Sequence, residues 1–257
     1  MQPFYSIIIP TFQQEKYIET CLRSLLLQTF TDIEVIISDD SYDNRTQIIV
    51  SSFSDSRIKY YKNKSRLGRV LNYRTCVMER AAGQWCLICD GDDSITDVNY
   101  LDDVKAVIQQ HSQLVFIQSG HLKGTNKHDA VEEWPLIDKS EKHFTGFDYL
   151  INFQQIAHFS HLSSVSKLSV LKTIDPFRLN ILSSDIETYL RLVKQGDVYL
   201  MKRTVGLWRQ HNENASASTD YQVQLQNLQW IDSVADYWKS QMSAAEQNLS
   251  PILHRLG

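Results

Sequence analysis

Apolar residues along this chain switch between two periods. "YSIIIP", residues 5–10, is a short unbroken apolar run, the pattern of a strand buried on both faces. Residues 15–30 instead place Ile18, Cys21, Leu22, Leu25 and Leu26 on one helical face. The alternation then repeats. Residues 33–38, 57–63, 85–90 and 114–119 predict strands, while 69–83 and 99–110 predict helices between them, the first stopped by Gly83. Short β-rich runs separated by helices predict an α/β fold with a mostly parallel sheet flanked by helices.

Beyond Gly120 the pattern weakens. Residues 121–143 are polar and without a clear period, which predicts a long excursion of the kind that shapes a binding site. Order returns at 147–153 and again at 183–196, where Ile186, Tyr189, Leu190 and Val193 form an amphipathic stripe. A strand is expected over 198–208. From Tyr221 onward, Leu225, Leu228, Ile231, Val234, Ala235 and Trp238 recur at helical spacing, so a helical extension is expected over 216–257, its stripe packed back on the body.

Composition adds mainly exclusions. The chain has 257 residues, 42% of them hydrophobic, enough to bury a substantial core. Its 26 Lys and Arg against 30 Asp and Glu leave a formal charge of −4, which speaks against nucleic acid as the main partner. No apolar run reaches the roughly 18 residues of a membrane span, and the start lacks the pattern of a secretory signal, so a cytoplasmic protein is expected. Cys86 and Cys89 have the spacing of half a zinc site. On a strand, however, positions three apart face opposite sides, and no second Cys or His pair lies near in sequence. With Cys21 and Cys76, they are expected to be reduced core residues.

Candidate chemistry concentrates at strand ends. Asp39 and Asp40 end the second strand, and Asp90, Asp92 and Asp93 end the fourth in "LICDGDD". In an open parallel sheet, ligands bind outside the carboxyl ends of strands. One acidic turn is commonly a solvated turn or helix cap. Two at equivalent ends call for a neutralising partner, because gathered carboxylates repel and would otherwise take up protons. Mg²⁺ or Mn²⁺ supplies that, holding one or two carboxylates while sharing its shell with water and phosphate. Gly91 permits close approach of backbone to a ligand. Arg66 and Arg69 could reach the same rim, as phosphate contacts or as solvated surface charges.

Two stretches, "SIIIPTFQQEKYIETCLRSLLLQTFTDIEVIISDDSYDN" and "NKSRLGRVLNYRTCVMERAAGQWCLICDGDD", resemble the nucleotide-sugar-binding half of inverting family-2 glycosyltransferases with the GT-A fold. The likeness spans about the first 110 residues. It implies a Rossmann-like GT-A domain over 1–215, with a nucleotide-sugar half at 1–120 and an acceptor-side half at 121–215, followed by the extension. Pro10, Thr11 and Phe12 would then hold the nucleotide, and Asp39 or Asp40 would hydrogen-bond the base. Asp90 and Asp92, an Asp-x-Asp motif, would bind the metal and diphosphate.

Transfer to a hydroxyl with inversion needs a group that takes the acceptor's proton. "SSDIETYLRL" resembles the segment that provides it, which makes Asp185 the implied base, although Ser184 stands where the family usually has Glu. A different account is available locally: Ser184-x-x-Glu187 is a capping box, and an acid in a first helical turn is favoured by the helix dipole. In "LWRQHNENAS", family likeness places His211 near metal or diphosphate, and Arg209 could help hold the leaving phosphate. His158 and His161 have no assigned role.

The expectation is a metal-dependent inverting transferase that moves sugar from a nucleotide diphosphate sugar, a UDP-sugar being favoured, to a glycan or lipid-linked saccharide. It would serve surface polysaccharide or glycoconjugate synthesis, with peripheral contact at the inner face of the membrane in view. A sugar-nucleotide pyrophosphorylase would want a Gly-rich basic loop after the first strand, where "IIIPTFQQEKY" has no Gly. A non-catalytic nucleotide-binding or interaction module is the other alternative, separated from an enzyme by whether nucleoside diphosphate is released.

Overall fold

The structure, a computed structural model, describes residues 2–134, 140–153, 160–212, 214 and 220–241. Its first half alternates strand and helix: β1 (Tyr5–Thr11), α1 (Ile18–Leu26), β2 (Ile33–Asp39), α2 (Arg45–Ser51), β3 (Ile58–Lys62), α3 (Arg69–Thr75) and β4 (Trp85–Ile88). Then come β5 (Ser94–Ile95), α4 (Tyr100–Gln110), β6 (Leu114–Gly124), β7 (Val131–Glu133), β8 (Lys142–Phe144), α5 (Gly146–Ile151) and β9 (Ser164–Lys167). The remainder is α6 (Leu168–Thr173), α7 (Ser184–Leu192), β10 (Asp197–Arg209), α8 (Tyr221–Asn227) and α9 (Gln229–Ser240).

The sheet runs β3-β2-β1-β4-β9-β6-β10-β5, with β7 on β6 and β8 on β10. β1 pairs in parallel with β2 and β4, placing Ile7 beside Val35 and Leu87. β9 is antiparallel to both β4 and β6, and β10 runs parallel to β6. Two reversals restore direction. The carboxyl end of β10 therefore reaches the same edge as those of β1, β2 and β4, which brings Arg209 toward the Asp90–Asp93 loop.

Strand periodicity sorts the core into two layers. Ile8, Ile36, Cys86 and Ile88 pack on one face with Leu168, Leu190 and Trp238. Ile7, Ile9, Val35, Ile37, Leu87 and Cys89 pack on the other with Leu22, Leu25 and Leu101. Each such side chain contributes roughly 1.5–3 kcal/mol by leaving water. Cys86 and Cys89 thus lie on opposite faces, and all four cysteines are free and buried. Burial pushes the Cys86 thiol well above its ordinary pKa.

Several elements depart from the sequence expectation. The parallel arrangement is confined to β3-β2-β1-β4 and to the β6–β10 pair, because the short β9 enters the sheet antiparallel. α2 was not foreseen; it buries only Thr46 and Val50, too narrow a stripe to stand out. The helix expected over 69–83 ends its α-turns at Thr75 and widens into a π-turn over Cys76–Arg80. Gly83 is not its stop: it sits where an added Cβ would lie 2.6 Å from the Ser6 amide nitrogen on β1. Part of the expected excursion is ordered sheet, since β6 continues to Gly124 and β7 folds back on it. The C-terminal stripe is only half core. Val234 and Trp238 are buried, whereas Leu225 and Leu228 on and beyond α8 are exposed. Among the described residues, no helix is long and apolar enough to cross a membrane.

Candidate functional site

A cleft of about 940 Å³ lies across the carboxyl edge of the sheet. Pro10, Thr11 and Phe12 leave β1 into its wall, Asp90 and Asp92 follow β4, and Asp185 opens α7. Asp40, Arg66 and Arg69 also line it. Asp39, Gly91, Arg209 and His211 are not among its lining residues, though Arg209 and His211 contact the Asp92–Asp93 stretch that is.

The acids after β2 are held by different partners. Asp39 is fully buried and accepts from the Tyr60 hydroxyl at 2.6 Å, the Ser41 amide at 2.8 Å and Lys62 Nζ at 3.2 Å. Asp40 accepts from the amides of Leu67 and Gly68 and from Asn63 Nδ2 at 2.7 Å. Gly68 has φ +81°, in the left-handed region that favours glycine, and this turns its amide toward Asp40. Between them, these bonds fix the rim on which Arg66 lies 4.1 Å over the Phe12 ring and donates to the Tyr42 hydroxyl at 3.0 Å. The stack leaves aromatic and cationic surface at one end of the cleft.

Around β4 the carboxylates crowd. Asp90 accepts a 2.8 Å hydrogen bond from the Tyr73 hydroxyl. Burial, then the neighbouring Asp92 charge, pushes its pKa up to about 7, against the pull of Tyr73 and Arg69; Asp185 across the cleft adds to the rise. Burial and the charges of Asp92 and Asp90 likewise push Asp93 up. Asp92 Oδ2 lies 2.8 Å from His211 Nε2, whose ring stacks on Tyr17 at 5.0 Å. Arg209 grips this loop: its amide donates to Asp93 Oδ1 and its Nε to the Asp92 carbonyl, each at 2.9 Å. Gly91 is packed under Thr11, whose Oγ1 would lie 3.1 Å from an added Cβ.

Among the described residues, no three His, Cys, Asp or Glu side chains form a ready-made metal cage. Asp92 and His211 nevertheless bring a hard oxygen and an imidazole nitrogen together beside Asp90. That donor set fits Mn²⁺ or Mg²⁺, which take few protein ligands and complete their shell with water and phosphate.

Asp185 is half-buried on the cleft wall and has no hydrogen bond or ion pair among the described residues. The capping box is not formed. Ser183, not Ser184, is the N-cap, and it makes no side-chain cap; Glu187 turns away to Arg178, Arg191 and Ser233. Ser184 is buried, and its hydroxyl has no partner among the described residues. Arg69 reaches over from α3 and donates to the carbonyls of Ile181 at 2.6 Å and Leu182 at 3.1 Å, so it braces the approach to α7.

The structure adds residues to which the sequence assigned no role. Tyr73 belongs to the apolar stripe of its helix, and nothing distinguished it from core. His161 is buried on the cleft wall with Nδ1 2.9 Å from the Tyr189 hydroxyl, and burial drives its pKa down to about 4, leaving the imidazole neutral. His158 lies outside the described residues. Lys123, Glu133 and Trp208 form the far wall, with Lys123 Nζ 4.6 Å over the Trp208 ring. Asn227 of α8 lines the cleft as well; a lone Asn on an expected outer helix gave no signal.

Comparison with known proteins places this geometry in context. A family model described as "Glycosyl transferase family 2" matches residues 6–170. A poly(ribitol-phosphate) beta-N-acetylglucosaminyltransferase, TarS of Staphylococcus aureus, is 30% identical over 125 residues, covering 48% of this chain and 21% of TarS. A GalNAc(5)-diNAcBac-PP-undecaprenol beta-1,3-glucosyltransferase of Campylobacter jejuni is 30% identical over 95 residues, covering 36% of this chain and 31% of that protein. These matches span under a third of either relative. The crystal structure of TarS residues 1–349 with UDP superposes with a TM-score of 0.74 at 20% identity, over 98% of this chain and 70% of that one. The mannosyltransferase PcManGT from Pyrobaculum calidifontis, in complex with GDP-Man and Mn²⁺, gives 0.66 at 15% identity, over 99% and 69%. Both superpositions concern the fold, which is the GT-A arrangement.

Proposed function

The chain belongs to glycosyl transferase family 2, and from that premise we propose that it is a metal-dependent, inverting glycosyltransferase that takes a UDP-sugar as donor. The acceptor is a hydroxyl of a glycan or lipid-linked saccharide, in keeping with the names of the relatives. Surface polysaccharide or glycoconjugate synthesis, by a cytoplasmic protein working at the inner face of the membrane, is the setting this reading favours.

The observation that carries the proposal is one cleft holding two kinds of carboxylate. Asp90 and Asp92 are crowded at one wall, while Asp185, without a hydrogen-bonding partner among the described residues, stands at another. Crowded buried acids repel an incoming diphosphate unless a cation joins them. Asp90, Asp92 and His211 would hold a divalent cation, which would supply that charge and offset what develops on the departing diphosphate. Pro10, Thr11 and Phe12 hold the nucleotide, with Asp40, which lines the cleft whereas Asp39 is fully buried, turned to its base and Arg66 over the aromatic rim. Arg209 steadies the phosphate end through the Asp92 carbonyl it grips, and Arg69 braces the backbone ahead of Asp185. Asp185 accepts the acceptor's proton as its oxygen attacks the sugar carbon, because a carboxylate free of internal partners keeps its lone pairs available.

Asp185→Asn tests the assignment. The variant should bind UDP with a divalent cation as the unaltered protein does, and release UDP from donor about 10²–10⁴-fold more slowly. Unchanged turnover would remove Asp185 as the base.

A further inference from the structure

The segment just ahead of Asp185 is held from two sides. Arg69, from the first half of the chain, binds the carbonyls of Ile181 and Leu182. From the opposite side Asn227, the last residue of α8, makes a two-point contact with Ser183: its Oδ1 accepts from the Ser183 amide at 2.7 Å, and its Nδ2 donates to the Ser183 hydroxyl at 2.9 Å. Ser183 is the N-cap of α7, and this contact occupies the hydroxyl that would otherwise cap the helix. Asn227 and Ser183 both form cleft wall beside Asp185.

The same helix is tied to the extension at two further levels. Ser233 of α9 donates to Glu187, and Trp238 Nε1 donates to the Leu190 carbonyl at 2.8 Å. Those contacts sit one and two turns along α7 and account for its docking. Neither is needed to hold residue 183. Asn227 differs because it acts on the residue two positions before the carboxylate, where a small rotation of the first turn moves Asp185 through the cleft.

We infer that Asn227 is a positioning residue for Asp185, and that the C-terminal helices thereby complete the active cleft. The inference rests on the proposed role of Asp185. By fixing the Ser183 backbone and hydroxyl together, Asn227 sets the angle at which α7 starts. A reacting group displaced by about 1 Å loses up to about 10²-fold in rate. The nucleotide pocket, built on β1 and β4, is untouched by the contact.

The test is a double-mutant cycle with UDP release from UDP-glucose or UDP-N-acetylglucosamine in Mn²⁺ as the readout, water serving as acceptor. Asn227→Ala should lower kcat about tenfold to a hundredfold, with the affinity for UDP and the melting temperature unchanged. Ser183→Ala, which removes one of the two points, should show a smaller loss of the same kind. In an Asp185→Asn background, Asn227→Ala should change the rate by less than about twofold, since the group it positions is gone. A full loss in that background, or a normal kcat for Asn227→Ala beside an impaired Asp185→Asn, overturns the inference alone. Normal turnover by Asp185→Asn overturns the base assignment and the inference with it.

Discussion

Replacing Tyr73 by Phe removes one hydroxyl from the floor of the cleft and keeps the ring that packs on His161 and Phe177 at 4.8 and 5.3 Å. The hydroxyl donates to Asp90 and is the strongest of the influences that hold its pKa down against burial and Asp92. A hydrogen bond to a charged group contributes about 1.5–3 kcal/mol, and one pKa unit corresponds to about 1.4 kcal/mol. The Asp90 pKa, about 7 in the unaltered protein, should therefore rise by roughly one to two units. Cation binding requires the ionised form. In calorimetric titrations of UDP with Mn²⁺ between pH 6 and 8.5, affinity of the unaltered protein should climb with pH and level off above about 7. In Tyr73→Phe the bend should move upward, giving a loss of about tenfold at pH 6.5 that narrows as pH rises. UDP itself titrates near this range, but equally in both proteins. A loss of equal size at every pH would mean that the loop had moved. No loss at all would mean that Asp90 does not meet the cation.

Three other outcomes follow from the same geometry. A group with a raised folded pKa stabilises the fold below its unfolded value, and that contribution is lost as pH rises through the folded one; the gain in melting temperature from Mn²⁺ with UDP should accordingly widen from pH 5.5 to 8, and a constant gain in scanning fluorimetry would contradict this. Gly83→Ala drives a Cβ to 2.6 Å from the Ser6 nitrogen and 2.9 Å from the Tyr5 carbonyl carbon, backbone that cannot yield easily, so a loss of about 2–3 kcal/mol and a fall of about 5–10 °C in Tm are expected; a change below about 0.5 kcal/mol would refute the contact. Glu34 is buried, which by itself would raise its pKa, but Lys59, the Ser6 hydroxyl and the Ala82 amide outweigh that and hold it below 4.5; Glu34→Gln should cost about 1.5–3 kcal/mol in urea unfolding at pH 7, and the difference should shrink as pH falls through the carboxylate range.

What the sequence disclosed was whatever local period or strand-end position controls. β1, β2 and β4 are continuous apolar runs because both faces are covered, and the strand-face argument placed Cys86 and Cys89 correctly on opposite layers. Asp90 and Asp92 were legible as candidates because acids beside apolar runs are costly without a purpose, whereas Asp185 was marked only by the resemblance of its segment to the family. Topology was another matter. That β9 inserts between β4 and β6 depends on which four-residue strand finds which edge, and "SVSK" carries no alternation strong enough to announce it. Polar residues in helical stripes, such as Tyr73 and Asn227, resemble ordinary packing or surface until their partners, 17 and 44 positions away, are known.

The antiparallel β9 also explains why residues so distant in sequence act on one loop. A purely parallel continuation from β4 would have placed the next strand, and the turn after it, directly beside Asp90. Instead β9 reverses and β6 and β10 restore direction, so the loop after β4 opens onto space walled by β6, β10 and the start of α7. Arg209 and His211 then grip that loop from one side, while Tyr73 holds it from below. Burial is what makes Asp90 costly to ionise, and burial by these three elements is also what aims it. The crowding that opposes the charged form in the free protein is the feature that would make cation and nucleotide bind together: neither the acids nor a diphosphate tolerates that space alone, and a cation is favourable to both.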